Sequence, residues 1–160
     1  MIKLVWHYTT QEHAVSIVND GLLKPRKDPS DITKAVLWFS KQQFWEPTAS
    51  KMVSSDGLWA ADFGVAFAMN IQYPKAGIIR FGIKYPNDIL LSWEKYKKET
   101  DKSRLQLSIL ENTAAEVCAK PSDWLVTCND IPLSIIGRIE KFNGTSYEDI
   151  SADELKMIGV

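Results

Sequence analysis

The chain has 160 residues, an apolar share of 45%, a charged share of 24% and a formal net charge of −1. That is the size and composition of one soluble globular domain, here spanning residues 1–160. The balanced charge gives no argument for a nucleic-acid or membrane surface as the main partner, and no segment approaches the roughly 18 apolar residues of a membrane span.

Residues 2–6 alternate and are rich in β-formers, so they read as a strand that delivers His7, one of two histidines in the chain. Met1 to Val5 hold no apolar run long enough for a signal peptide, so a cytoplasmic protein is expected. Thr9 and Glu12 stand at capping-box spacing and open a helix. Ala14, Ile17 and Val18 share one face of it, and Gly21 follows at its C-terminal cap. Leu22 and Leu23 are expected to pack back on the core. Residues 24–34 are polar, with Pro25 and Pro29, and read as a surface loop.

Ala35 to Ser40 returns as a buried strand ending in Trp38-Phe39-Ser40. Pro47 then opens a short helix. Residues 52–64 read as loop and 65–72 as a strand or short helical turn. Gly77 to Ile83 is a strand by alternation, with Ile79, Phe81 and Ile83 on one face. Pro86-Asn87-Asp88 is a turn, and the charged run Glu94 to Arg104 is a solvated helix or loop face. Leu105 to Cys118 carries a helical stripe of Ile109, Leu110, Thr113, Ala114 and Val117. Trp124 to Cys128 and Ile135 to Lys141 read as strands, and the polar tail from Asn143 as a small closing element. The fold class is α+β, built on a split, mainly antiparallel sheet with flanking helices.

Several residue types in this order carry chemistry. His7 at a strand end can bond a ribose hydroxyl. Tyr8 adds a ring face and Thr9 a hydroxyl. Ser40 lacks the Gly-x-Ser-x-Gly setting of a nucleophile, so its hydroxyl reads as bonding a ligand or bracing a site. Among six tryptophans, Trp38 and Trp45 lie nearest and suit the lining of a pocket for a flat ring. Arg80 stands alone between apolar strand residues, as a surface-facing strand residue with a carboxylate partner or a diphosphate contact. No glycine-rich phosphate loop occurs. The two cysteines, Cys118 and Cys128, fit neither a redox pair nor a zinc knuckle and read as buried small hydrophobes. No metal site is expected.

A strand ending in His7-Tyr8-Thr9, a helix, and a strand ending in Phe39-Ser40 together resemble the ADP-ribosyltransferase fold family. Ala115-Glu116-Val117 looks like the late acid motif of its DNA-modifying members, and Ile131 to Ile139 is similar to the strand that follows it. The resemblance implies NAD as substrate and transfer of ADP-ribose to an acceptor that is a protein, a nucleic acid or a small molecule. It implies that His7, Tyr8, Thr9, Trp38, Phe39 and Ser40 form the NAD site. His7 would act in catalysis together with a carboxylate. Glu116 is the first candidate for that carboxylate, Asp123 the second and Glu46 the third. The alternative is a catalytically inactive nucleotide- or protein-binding module on the same fold.

Overall fold

In a computed structural model, residues 3–26, 33–49 and 78–158 are described. The readings for 52–64 and 65–72, and for the part of the early loop at 27–32, lie outside these residues. The described strands are β1 (Lys3–Thr10), β2 (Leu22–Leu23), β3 (Leu37–Ser40), β4 (Ile78–Tyr85), β5 (Leu91–Ser92), β6 (Trp124–Thr127), β7 (Ile131–Pro132), β8 (Ile136–Phe142) and β9 (Tyr147–Asp149). The described helices are α1 (Gln11–Asp20), α2 (Trp93–Glu99), α3 (Arg104–Glu116) and α4 (Ala152–Ile158). Seven strands form one sheet in the order β5-β6-β3-β1-β4-β8-β9, with every pair antiparallel. β2 and β7 make a separate two-stranded ribbon. The protein is therefore a mixed α/β fold with a mainly antiparallel sheet.

The alternation seen in β4 decides which face is which. Ile79, Phe81 and Ile83 are fully buried and sit opposite Thr9, His7 and Val5 of β1. With Phe39, Leu125, Val18, Leu23 and Leu155 they make the main core. Leu155 comes from α4, so the polar tail does close the domain, and α4 packs on α1. The opposite face carries Trp6 and Tyr8, which pack with Trp45. The Trp6 ring lies over Gly82, where an added Cβ would come 2.7 Å from a ring carbon. Gly82 therefore leaves the space that ring occupies. A third cluster gathers Trp93, Tyr96 and Trp124 at the far end of the sheet.

Three readings are corrected. β1 runs to Thr10 because Tyr8, Thr9 and Thr10 continue the ladder with Arg80, Ile79 and Ile78. The helix cap is therefore Thr10, whose Oγ1 accepts from the His13 N–H, and the Thr9–Glu12 capping box does not form. On α3 the packed face is Leu107, Leu110 and Ala114, which keeps Leu110 and Ala114 of the expected stripe, adds Leu107 and leaves Ile109 53% exposed. That face follows the direction of the Trp93–Trp124 cluster beneath it. Both cysteines are exposed. Cys118 takes the left-handed φ of 56° just past the end of α3, and Cys128 follows β6 directly.

Candidate functional site

β1 and β3 share a single register pair, Trp6 with Ser40. Next to that pair His7 reaches across: its Nδ1 lies 2.9 Å from the Trp38 carbonyl. A carbonyl can only accept, so Nδ1 carries the proton in this bond. The ring also packs on Phe39 at 5.6 Å between centroids.

A cleft of about 270 Å³ opens here. Trp6, His7 and Tyr8 of β1 line it, together with Trp38, Phe39 and Ser40 of β3. Successive strand residues point to opposite faces. Three in a row from each strand therefore place the cleft at the strand edges, where β1 and β3 part. Leu110 and Thr113 of α3 and Trp124 of β6 also line it.

Glu46 is the carboxylate of this cleft. It is 4% exposed and sits just before a 3-10 turn at Pro47–Ala49, which Pro47 opens. Ser40 Oγ donates to Glu46 Oε2 at 2.6 Å. Thr48 Oγ1 donates to Oε1 at 2.7 Å, Trp124 Nε1 at 3.2 Å and the Thr48 N–H at 3.3 Å. Ser40 Oγ in turn accepts from the Gln42 N–H at 3.1 Å. Ser40 thus ties the Glu46 carboxylate to the end of β3. Four donors on one buried carboxylate fix its position, since each bond lost would leave a polar group unsatisfied.

The loop that carries Glu46 is held from behind. Arg80 Nη1 donates to the carbonyls of Gln43 at 2.8 Å and Phe44 at 3.4 Å. Its guanidinium is sandwiched between the Trp6 ring at 4.0 Å and the Tyr147 ring at 3.6 Å. Its charge partner is Glu140, at 2.5 Å. Arg80 therefore has the expected carboxylate partner but is buried rather than surface-facing, because two aromatic rings enclose its guanidinium, and it does not line the cleft. It supports the site from behind, through the loop, the Trp6 ring and its charge beside Tyr8.

Tyr8 also faces the cleft, and its hydroxyl donates to the Gln42 carbonyl at 3.3 Å. Burial pushes its phenol up to about 12 from 10.0, with the nearby Arg80 charge working against the rise. Because the folded value lies above the unfolded one, the resulting stability is complete below pH 10 and is lost as pH rises toward 12. The urea midpoint is therefore expected to hold up to pH 10 and then fall steeply, and Tyr8→Phe is expected to flatten that fall. An identical alkaline profile for wild type and Tyr8→Phe would show that another group sets it.

The remaining expected site residues fall elsewhere. Thr9 lines a neighbouring cleft on the α1 side, which also contains His7 and Trp38. Trp45 is buried against Tyr8 and is not part of the lining. Asp123 lies in the 3-10 turn before β6 and accepts a hydrogen bond from the Gln42 side chain, outside the lining. Glu116 is exposed on the last turn of α3 and is not brought to the cleft. Trp6, Thr48, Ala49, Leu110, Thr113 and Trp124 also line the cleft and were not among the expected site residues. Thr48 had a usable signal, since a hydroxyl two residues after Glu46 in a Pro-opened turn can reach back to it.

Among the described residues, no group of three or more His, Cys, Asp or Glu side chains could hold a metal ion, and no helix is long and apolar enough to cross a membrane. No protein-family model, curated protein or solved structure matches the chain.

Proposed function

We propose that this is an ADP-ribosyltransferase-like enzyme that uses NAD as substrate, with Glu46 rather than Glu116 as its acid. The observation that carries the reading is the meeting of His7, Ser40 and Glu46 in one aromatic cleft at the parting of β1 and β3. The cleft volume is just under the about 300 Å³ at which ordinary ligand pockets begin. A nicotinamide ring with its ribose would enter it, leaving the rest of NAD outside.

In this reading Tyr8, Trp38 and Phe39 flank the nicotinamide and His7 holds a ribose hydroxyl. The bond from ribose C1′ to the nicotinamide nitrogen breaks, and its electron pair leaves with nicotinamide. The ribose passes through an oxocarbenium-like state that the Glu46 carboxylate stabilises. A nucleophilic atom of the acceptor then bonds to C1′ and gives up its proton. Ser40, Thr48 and Trp124 hold the carboxylate in place.

The test is nicotinamide release from NAD, run beside thermal stabilisation by NAD. Wild type is expected to show both, and His7→Ala to lose at least about tenfold in release. Equal turnover by His7→Ala would sink the reading. A second reading is a binding module on the same fold. It is favoured by the four protein donors that already occupy the Glu46 carboxylate. Its mark is stabilisation by NAD with no nicotinamide released, even with candidate acceptors present.

A further inference from the structure

A second concavity adjoins the aromatic cleft and has a different chemistry. It measures about 320 Å³ and shares Trp38 and Leu110 with the first cleft. Its described lining includes three cations, Arg26, Lys34 and Lys102, and no carboxylate. In a chain of net charge −1 this is a local excess of positive charge in a hollow, where field lines concentrate.

The placement of these cations comes from the fold. Arg26 forms an isolated antiparallel bridge with Val36, two residues before Trp38, so the backbone ladder fixes where it stands. The Lys34 N–H donates to the Asp101 carboxylate, at 3.2 Å to Oδ2, which ties the approach to β3 to the turn before α3. Lys102 lies in that turn and donates to Thr33 Oγ1 at 2.7 Å. Asp101 bonds the Lys34 backbone and is not part of the described lining. Asp20, which lines the α1-side cleft together with Arg26, is paired with Lys24 at 2.9 Å. Arg80, the other arginine close to the aromatic cleft, is taken up by Glu140 and the loop carbonyls.

We propose that this concavity is a phosphate site, in which the guanidinium of Arg26 and the ammonium of Lys34 bind a phosphate ester beside the Trp38 ring. A guanidinium can meet two phosphate oxygens at once, an ammonium adds a point charge, and an aromatic face alongside suits a nucleoside attached to the phosphate. The group could belong to the same molecule whose ring enters the aromatic cleft, or to a second, phosphorylated molecule. The chemistry is shared and does not depend on NAD being the ligand.

The experiment titrates pyrophosphate, NAD and a short 5′-phosphorylated single-stranded oligonucleotide into wild type, Arg26→Gln/Lys34→Gln and His7→Ala at low ionic strength. Circular dichroism confirms that all three proteins are folded. Pyrophosphate is expected to bind wild type and to weaken by about tenfold in the double variant. Added salt should weaken binding to wild type as well. A parallel loss for NAD assigns the phosphate to the ligand of the aromatic cleft, and a loss for the oligonucleotide alone assigns it to a second molecule. His7→Ala is expected to keep pyrophosphate binding, so failure of the NAD reading leaves this result intact. No pyrophosphate binding to wild type, or equal binding by the double variant, overturns the proposal.

Discussion

Glu46→Gln is expected to lower nicotinamide release from NAD by about 100-fold or more while the domain remains folded. The reasoning separates charge from shape. Glutamine keeps the length and planarity of glutamate, so an amide oxygen can replace Oε1 and accept from Thr48 and Trp124. The amide nitrogen then faces Ser40 Oγ, a hydroxyl that can turn and accept. The structural cost is the difference between charged and neutral hydrogen bonds, on the order of 1–2 kcal/mol. What disappears is the negative charge beside the developing cation on the ribose. Glu46→Ala is a poorer probe, because it strands four donors in a buried space. Glu116→Gln serves as the control. Glu116 is exposed on the last turn of α3, so release should stay at the wild-type rate. If Glu116→Gln abolishes release and Glu46→Gln does not, the assignment of the acid is reversed.

This contrast shows where sequence reasoning works on this chain and where it stops. The strands carrying His7 and Ser40 were legible from their apolar patterns, but their meeting has another geometry than two strand ends side by side: β1 runs on to Thr10, and β3 ends against its middle, with Ser40 opposite Trp6. The face of β4 was legible because Ile79, Phe81 and Ile83 alternate without interruption. Glu46 was harder to place. Its burial depends on Arg80 holding the carbonyls of residues 43 and 44 from a distant strand, and on Trp124 arriving from β6. None of these leaves a local pattern. Glu116 carried a motif-like setting, Ala-Glu-Val, but sits where a helix ends in solvent. The stripe on α3 held at Leu110 and Ala114 but not at Ile109, for a related reason. Apolar residues lie on more than one side of that helix, and only the position of the tryptophan cluster decides that Leu107, Leu110 and Ala114 face inward.

The support behind the loop yields the largest expected effect on stability. Glu140→Ala is expected to cost about 3–5 kcal/mol, read as a fall in the urea midpoint. That is a large part of the about 5–15 kcal/mol that holds a domain together. Both side chains of the Arg80–Glu140 pair are only 7% exposed, so water cannot replace the lost carboxylate. Arg80 would keep its positive charge between two aromatic rings, with the Gln43 and Phe44 carbonyls as its remaining acceptors. The companion experiment is Arg80→Met combined with Glu140→Met. Removing both charges avoids the stranded cation, and methionine can fill the space between the rings, so the double variant is expected to lose less stability than Glu140→Ala alone. Yet it also releases the carbonyls that fix the loop before Glu46. The double variant should therefore fold better than Glu140→Ala and still lose nicotinamide release. A double variant with wild-type release would mean that the loop holds Glu46 without Arg80. A Glu140→Ala protein within about 1 kcal/mol of wild type would mean that the pair is not desolvated as its burial indicates.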